Sequence, residues 1–271
     1  MKVIEQFIQG KDGSLETCED GIFIGESFIA VVDGVTAKGK KLWGEKQRAS
    51  GAYAKDVLLG AFGTMRHDID AEEALQYLSD SLAKEYKGVV PTDVREHLQA
   101  VLIIYSNHKK EIWLHGDCQC LVNDKYYSCN KPIDRIVSDA RAMYMEALLK
   151  NGENQLEDFT VRDIGRELVQ PLLDRQALFA NDTCEYGYVV LNGINLNLKG
   201  LHKIKVCKGD KIVLASDGYP RVRETLAESE DYLQGVIERD PLCFREYKST
   251  KGLRKGNVSF DDRAFISFMV E

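Results

Sequence analysis

The chain has 271 residues, of which 44% are hydrophobic, and its formal net charge at pH 7 is −7. An acidic chain of this composition can bury a sizeable core but offers no basic stripe to a phosphate backbone, so nucleic acid is excluded as the main partner. The most basic segment, Lys248-Ser-Thr-Lys251-Gly-Leu-Arg254-Lys255, is short and is interpreted as a solvated loop. No apolar run reaches the roughly 18–20 residues of a membrane span, so no membrane partner is expected.

The cysteines and the N-terminal residues indicate a cytoplasmic protein. The first residues have neither the pattern of a signal peptide nor that of a transit peptide, and the odd number of cysteines, seven, favours reduced thiols. Cys118 and Cys120, with His115 and Cys129 nearby, leave a zinc site open. Because Cys118 and Cys120 would share one face of a strand, buried thiols in the core are the favoured interpretation.

The first part of the chain predicts three strands followed by two helices. The predicted strands cover residues 3–9, 22–24 and 28–32, the last two forming a β-hairpin. Apolar residues at helical spacing predict a helix over residues 45–62. Asp70 is a predicted N-cap for a second helix, with Glu73 completing a capping box.

The rest of the chain alternates strands and helices again. The predicted strands cover residues 100–105, 111–122, 186–191, 203–206, 211–215 and 264–270, with 203–206 and 211–215 joined by a turn at 208–210. The predicted helices cover residues 134–150, 160–179 and 223–238. Hairpin-linked strands with helices arriving in pairs favour antiparallel sheets covered by helices over a parallel βαβ sheet. No repeat or linker interrupts the chain, so residues 1–271 are predicted to form a single domain.

Several apolar strands meet an acidic residue at one end. The segments are Ala30-Val-Val-Asp33-Gly34, Trp113-Leu-His-Gly116-Asp117, Ile212-Val-Leu-Ala-Ser-Asp217-Gly218 and Ser259-Phe-Asp261-Asp262, with Glu19-Asp20 ahead of the first hairpin. A single Asp-Gly turn is common and indicates little. If these strand ends converge, the carboxylates would repel one another unless cations neutralise them. Oxygen ligands of this kind suit Mg²⁺ or Mn²⁺, and glycine lets a backbone carbonyl approach closely.

In their order and approximate spacing, these segments resemble the metal-dependent protein phosphatase family, type 2C. The resemblance extends from near Leu15 to the C-terminus, and Gly44-Glu45 and Ala49-Ser50 resemble the bacterial members of that family. It implies an α+β fold, a four-layer α-β-β-α sandwich of two antiparallel sheets flanked by helices. It also implies hydrolysis of phosphoserine or phosphothreonine in a phosphoprotein substrate.

The same resemblance implies two divalent cations, Mn²⁺ or Mg²⁺. Asp33 would bridge both cations, and the carbonyl of Gly34 would bind one of them. Asp217 and Asp261 would complete the ligands of the other. A water molecule held by the two cations would then attack phosphorus, with no protein nucleophile.

Further acidic residues match outer positions of the family's site. Glu19 would lie near the second cation, directly or through water. Asp117 matches a position that, together with Asp217, holds a third and weaker cation in some bacterial members. Asp20 and Asp262 would orient the ligands from outside the first layer.

Three positions depart from the family's pattern. Leu15 stands where an arginine usually holds the substrate phosphate, so the phosphate-binding group is unknown from the sequence. Val35 replaces a histidine of many eukaryotic members, and Cys118 replaces a serine. The missing positive charge could come from Lys38, Lys40, Lys41 or Arg221, although ordinary surface cations are the favoured interpretation of these four. Residues 130–200 correspond to the family's variable flap and are expected to shape substrate choice.

Three other functions stay open at this stage. The chain could be a weakly active or inactive regulatory module with the phosphatase fold, because Leu15 cannot hold phosphate. It could be a phosphoesterase that acts on a small metabolite, since metal chemistry does not reveal the leaving group. A calcium-stabilised sandwich without catalysis is disfavoured, because no dense run of oxygen ligands is present. The sequence does not indicate the physiological substrate or the oligomeric state.

Overall fold

The computed structural model describes residues 1–36, 38–129 and 131–271. Its strands are β1 (Lys2–Gln9), β2 (Asp20–Ile24), β3 (Phe28–Gly34), β4 (Ala100–Ser106), β5 (Glu111–His115), β6 (Gln119–Val122), β7 (Lys125–Ser128), β8 (Leu201–Lys205), β9 (Lys211–Ala215) and β10 (Arg263–Met269). Its α-helices are α1 (Ser50–Phe62), α2 (Ala71–Glu85), α3 (Pro132–Lys150), α4 (Leu156–Val161), α5 (Ile164–Arg175) and α6 (Leu226–Arg239). None of the described helices combines the length and apolarity that a membrane crossing requires.

The strands form two antiparallel sheets of five strands each. Sheet A has the order β1-β10-β9-β6-β7, and sheet B has the order β2-β3-β4-β5-β8. The hairpin predicted near the N-terminus is confirmed, because β2 and β3 pair with Ile22 opposite Val31. The first and last strands also pair, with Phe7 opposite Phe265.

The central strands of sheet B are buried on both faces. In β3, Phe28, Ala30 and Val32 pack against α1 and α2, whereas Ile29 and Val31 face sheet A. Successive side chains of a strand point to opposite faces, so a strand covered on both sides reads as an unbroken apolar run. On the far side, α6 covers the outer face of sheet A. The predicted α-β-β-α sandwich is therefore confirmed.

The predicted strand over 111–122 is wrong in one respect that matters for function. The chain leaves sheet B after β5 and enters sheet A at β6, with Gly116 at a φ of 106° between them. Both strands are apolar, so the sequence pattern runs on through the crossing. Asp117 consequently lies between the two sheets rather than along one strand.

Two further strand predictions need correction. The strands predicted at 203–206 and 211–215 form, and a turn joins them. They do not pair with each other, because β8 pairs with β5 in sheet B while β9 lies in sheet A. Residues 186–191 make only isolated bridges, Ala180 with Tyr188 and Ala100 with Leu191, among the described residues. Tyr188, Val190 and Leu191 are nevertheless buried. The apolar pattern of this segment therefore indicates that it is buried, although it does not pair as a continuous strand.

The helix predictions hold except at some helix ends and in the helix predicted over 160–179, which is divided. The predicted helix over 45–62 begins only at Ser50, because Trp43 and Arg48 form a bridge that closes a tight turn. Asp70 caps α2 by accepting a hydrogen bond from the Glu73 N–H at 3.0 Å. The capping box is incomplete because the Glu73 carboxylate pairs with Arg66 at 3.2 Å instead. The helix predicted over 160–179 is divided into α4, α5 and a final 3₁₀ turn at Gln176–Phe179.

Candidate active site

The acidic residues predicted from the strand ends lie at one end of the two sheets. In sheet B, Asp20 stands directly opposite Asp33 across the β2–β3 pair, which brings like charges close together. In sheet A, β9 and β10 are antiparallel neighbours with Ala215 opposite Phe265. Asp217, just beyond the end of β9, and Asp261, just before the start of β10, therefore occur at the same end of that sheet.

These residues line a single cavity of about 730 Å³. Every site residue predicted from the sequence contributes to its wall, namely Glu19, Asp20, Asp33, Gly34, Asp117, Asp217, Asp261 and Asp262. Leu15, in contrast, is 64% exposed and does not line the cavity. The position at which the family carries its arginine thus contributes nothing to the site in this chain.

Asp33 and Asp217 are two carboxyls of the cavity whose pKa values are both raised. Burial, and then the charges of neighbouring aspartates, raise the pKa of Asp33 well above its ordinary value. Burial and the charge of Asp33 do the same to the pKa of Asp217. Within residues 1–36, 38–129 and 131–271, neither carboxyl forms an ion pair with a lysine or arginine, unlike Asp261 in the same cavity.

Asp20 is a further carboxyl of the cavity whose pKa is raised by burial. Its side chain is buried, one of its oxygens has no hydrogen-bond partner among the described residues, and burial raises its pKa well above the ordinary value. A buried carboxylate oxygen without a partner is costly, and several carboxyls facing one cavity suit a divalent cation. No three Asp, Glu, His or Cys side chains in the described ranges converge on one point. The donor set therefore fits divalent cations, but it is not a preformed cage.

Asp261 has a different environment from Asp33 although it lines the same cavity. The Lys251 ammonium lies 2.5 Å from one oxygen of Asp261, and the Lys11 ammonium lies 3.9 Å from the other. Burial alone would raise the pKa of Asp261, but these two ammonium groups outweigh burial and lower it. Asp261 is therefore held as an anion by lysines of the chain itself.

Asp262 and Glu19 connect this end of sheet A to sheet B. The Asp262 carboxylate accepts hydrogen bonds from the Lys11 N–H at 2.7 Å, the Lys11 ammonium at 2.9 Å and the Glu19 N–H at 3.2 Å. The Glu19 carboxylate pairs with Lys11 at 3.3 Å. Asp262 thereby fixes the backbone of Glu19, and through it the start of β2.

The backbone around Gly34 leaves no room for a side chain. A Cβ at Gly34 would lie 2.2 Å from the carbonyl oxygen of Gly51 in α1. The glycine that follows Asp33 is thus required for close packing of α1 against the end of β3. The first turn of α1 also approaches Glu19, since a Cβ at Gly51 would lie 2.7 Å from its carboxylate.

Asp117 lies on the side of the cavity formed by α3. Burial raises the pKa of Asp117, and the nearby Lys131 opposes that rise. Lys131 itself pairs with Asp134 at 3.2 Å and stacks over the ring of Tyr188 at 4.5 Å. The ammonium of Lys131 therefore interacts electrostatically with both Asp117 and Asp134.

Of the four cations considered as substitutes for the missing arginine, Lys38 lines the cavity. Its ammonium donates to the carbonyl of Thr36 at 3.1 Å. Burial first, and then the positive charges of Arg166, Lys251 and Lys131, lower its pKa to about 7. Lys40 is exposed, whereas Lys41 stacks on Trp43 and Arg221 stacks on Tyr126, away from the cavity.

Sequence reasoning missed the basic half of this site. Residues 248–255 form the predicted loop, and Lys248 is exposed, but residues 248–251 line the cavity and the Lys251 side chain is mostly buried. The missed signal is that a basic segment lies ten residues ahead of Asp261, close enough in the chain to fold back on it. Arg141 was also missed; it is fully buried and holds this segment in place.

The cysteines near the site are packed in the core. Cys118 and Cys120 are fully buried and belong to the apolar cluster between the two sheets. Burial raises the pKa of Cys118 well above the ordinary value and that of Cys120 likewise. Nearby His115 is buried as well, with its Nε2 3.2 Å from the carbonyl of Asn197. Protonated thiols of this kind are poor zinc ligands.

Comparisons with known proteins give a limited result. No protein-family model matches the chain, and no curated protein matches it. Among solved structures, it is similar to the Mycobacterium tuberculosis serine/threonine phosphatase PstP/Ppp, with 14% identity over 99% of each chain and a TM-score of 0.48. It is also similar to the PstP catalytic domain in complex with two manganese ions, with 14% identity over 100% of each chain and a TM-score of 0.49. The PPM Ser-Thr phosphatase MsPP from Mycobacterium smegmatis, in complex with cacodylate, has 14% identity over 100% of each chain and a TM-score of 0.48. At such low identity, the function has to be argued from the site.

Proposed function

We propose that the chain is a metal-dependent phosphatase that hydrolyses phosphoserine or phosphothreonine in proteins. One observation carries this proposal: acidic residues from separate strand ends line one cavity, and two of them are close enough that the charge of Asp33 raises the pKa of Asp217. A structural protein has no use for such an arrangement, because buried like charges destabilise the fold. An enzyme that binds divalent cations does have a use for it.

The proposed ligands follow from the cavity wall. Asp33 and the carbonyl of Gly34 would hold the divalent cation that lies near Glu19. Asp33, Asp217 and Asp261 would hold the other. Mn²⁺ or Mg²⁺ suits these hard oxygen donors. Such cations, when bound, activate water and neutralise the charge that develops on phosphoryl oxygens. A third cation between Asp117 and Asp217 is part of the same proposal.

The chain's own residues supply positioning and positive charge. Lys38 is proposed to bind a phosphoryl oxygen in place of the missing arginine, because it lines the cavity and its ammonium donates to a neutral backbone carbonyl. Asp262 and Lys11 keep Glu19 and the start of β2 at the cavity. Val35 also lines the cavity. Because it is apolar, it cannot donate a proton as a histidine at that position could.

The segment 130–200 is proposed to select the substrate. Within it, Lys131, Arg135 and Gln176 contribute to the cavity wall. A phosphoprotein substrate would contact this wall beyond its phosphate, whereas a small metabolite would occupy the acidic end alone. A cytoplasmic location is part of the proposal and is supported by the seven free cysteines.

The first test is the substitution Asp33→Asn, with Asp124→Asn as matched control. Mn²⁺-dependent hydrolysis of an aryl phosphate is expected to fall by at least about 100-fold in Asp33→Asn, because a shared metal ligand is lost. Asp124 is an exposed residue of the turn after β6 and does not line the cavity, so its variant should retain the wild-type rate. Since the metal-free site already favours a neutral Asp33, the free energy of unfolding without metal should not decrease in Asp33→Asn.

Unchanged hydrolysis in Asp33→Asn would contradict the proposed site. A panel of phosphoserine, phosphothreonine and phosphotyrosine peptides beside sugar phosphates then tests the substrate class. The proposal requires the first two to be hydrolysed with the highest kcat/KM. A preference for sugar phosphates would replace the protein substrate by a metabolite.

A further inference from the structure

The ion pair between Lys251 and Asp261 occurs at a position where a cation ligand is proposed. The Lys251 ammonium lies 2.5 Å from Oδ2 of Asp261, and Oδ1 accepts a hydrogen bond from the Asp262 N–H at 3.0 Å. Each oxygen of the Asp261 carboxylate therefore already has a donor from the chain. Both side chains in the pair are mostly buried, with 18% of each exposed.

Two arginines, one fully buried and one partly buried, fix the segment that carries Lys251. Arg141 of α3 is fully buried, and its guanidinium pairs with Asp163 at 2.7 Å. It also donates to the carbonyls of Leu242, Cys243 and Ser249 at 2.9, 3.1 and 3.1 Å. Arg166 of α5 donates to the carbonyl of Thr250, the residue before Lys251, at 2.8 Å. Because guanidinium groups stay charged and offer several fixed donors, they hold these carbonyls in defined positions.

A buried carboxylate organises the start of the same segment. Asp240 is 3% exposed, and its carboxylate accepts four backbone hydrogen bonds of 2.8 to 3.2 Å from residues 244–247. The Leu253 N–H closes the other end on the carbonyl of Pro241 at 2.8 Å. The position of Lys251 is thus determined by buried contacts on both sides of it. These contacts therefore hold Lys251 where its ammonium pairs with Asp261.

We infer that Lys251 is a tethered counter-ion that competes with a divalent cation for Asp261. This inference rests on the proposed function. A cation held by Asp33, Asp217 and Asp261 must displace the Lys251 ammonium, whereas a cation held by Asp33 and Gly34 leaves that ion pair in place. The two cations therefore bind with unequal affinity, and Lys251 sets the difference between them.

The test measures binding of Mn²⁺ alone to the full chain by isothermal titration calorimetry and equilibrium dialysis. Wild-type protein is expected to bind one Mn²⁺ tightly and a second one more weakly. Lys251→Met removes the ammonium but keeps the apolar stem, so the second affinity should increase by about tenfold while the first changes by less than about twofold. Lys251→Arg keeps the charge and should retain the wild-type difference.

Lys248→Met is the matched control. Lys248 belongs to the same segment and lines the same cavity, but its ammonium pairs with Asp139 at 2.7 Å, where both side chains are about half exposed. Its replacement should leave both Mn²⁺ affinities unchanged. A change as large as that of Lys251→Met would mean that general positive charge, and not the pairing with Asp261, governs the affinity, and this would overturn the inference.

A second measurement needs no variant. Reductive methylation of wild-type protein, followed by mass spectrometry, reports the accessibility of each amine. Lys251 should be methylated slowly without Mn²⁺ and several-fold faster with it, while Lys248 keeps its rate. Equal Mn²⁺ affinities in wild type, or a Lys251 rate that does not respond to Mn²⁺, would overturn the inference and leave the proposed function intact. Absence of Mn²⁺ binding in both wild type and Lys251→Met would overturn both.

Discussion

Two aspartates of one cavity show how neighbouring residues decide the chemistry of a side chain. Burial and like charges raise the pKa of Asp33, whereas Lys251 and Lys11 lower the pKa of Asp261. Both residues follow from the same strand-end pattern in the sequence. The sign of the shift depends on lysines from elsewhere in the chain. They pair with Asp261, whereas Asp33 has no ion pair with a lysine or arginine in the described part of the chain.

Lys38 gives a prediction for pH dependence. Its pKa of about 7 in the fold means that its positive charge is lost as the pH rises from 6 to 8. Sulfate keeps its charge over this range, so it reports the lysine and not its own titration. The inhibition constant of sulfate against Mn²⁺-dependent hydrolysis should rise by about tenfold between pH 6 and pH 8, in proportion to the lost ammonium.

Two variants separate this effect from other titrations. Lys38→Arg stays charged, so its inhibition constant should change by less than about twofold over the same range. Lys38→Met should bind sulfate weakly at both pH values. An equal pH dependence in wild type and Lys38→Arg would show that Lys38 does not bind the anion.

At the scale of secondary structure, the crossing from β5 to β6 is the decisive element. The chain passes from sheet B to sheet A within Gly116, Asp117 and Cys118, and so brings Asp117 to the cavity. Gly116 has a φ of 106°, a backbone conformation that residues with a side chain rarely adopt. In addition, a Cβ at this position would lie 2.3 Å from the Val101 side chain. The crossing therefore requires glycine on two independent grounds.

Gly116→Ala is predicted to lower the free energy of unfolding by about 2–4 kcal/mol, because it combines backbone strain with a clash in a packed region. Gly60→Ala is the matched control, since Gly60 is an exposed residue of α1 where an added Cβ would have no described atom of the rest of the fold within 4 Å. It should raise the free energy of unfolding by about 0.5–1 kcal/mol. Urea denaturation followed by circular dichroism measures both, and a loss of similar size in the two variants would contradict the explanation.

At the scale of the whole molecule, residues near the two ends of the chain are in contact. The first and last strands pair along β1 and β10, and the N-terminal ammonium contacts the Glu271 carboxylate at 2.6 Å. Apolar clusters fill the space between the sheets and beneath the helices on both sides. We propose on these grounds that residues 1–271 unfold as one domain, with the acidic cavity as its principal internal source of electrostatic repulsion.

Binding of Mn²⁺ should therefore stabilise the whole molecule. At a free Mn²⁺ concentration of 100 Kd, one site contributes about 2.7 kcal/mol, which corresponds to a rise in Tm of about 5–10 °C for a domain of this size. Differential scanning calorimetry with Mn²⁺, and again after addition of a chelator, measures the shift and its reversal. The shift should shrink in Asp33→Asn; a shift of wild-type size in that variant would place the stabilising cation elsewhere.

The sequence by itself determined the layers of the fold and the acidic residues of the site. Unbroken apolar runs identify β3 and β4, which are buried on both faces, and apolar residues at helical spacing identify α2, which has one buried face. The strand-end aspartates are visible for the same reason, since each follows or precedes a run of buried residues. That they share one cavity is a hypothesis at the level of the sequence, because it depends on how the strands pair.

The tertiary structure decided what depends on contacts between distant segments. The pattern could not show that β8 and β9 belong to different sheets, because an apolar strand looks alike in either sheet. It could not show that Lys251 reaches Asp261, since that contact depends on Arg141 and Arg166 holding the segment from two other helices. Local sequence encodes the period and burial of an element, whereas the balance of charge in a cavity is fixed only when all its walls are assembled.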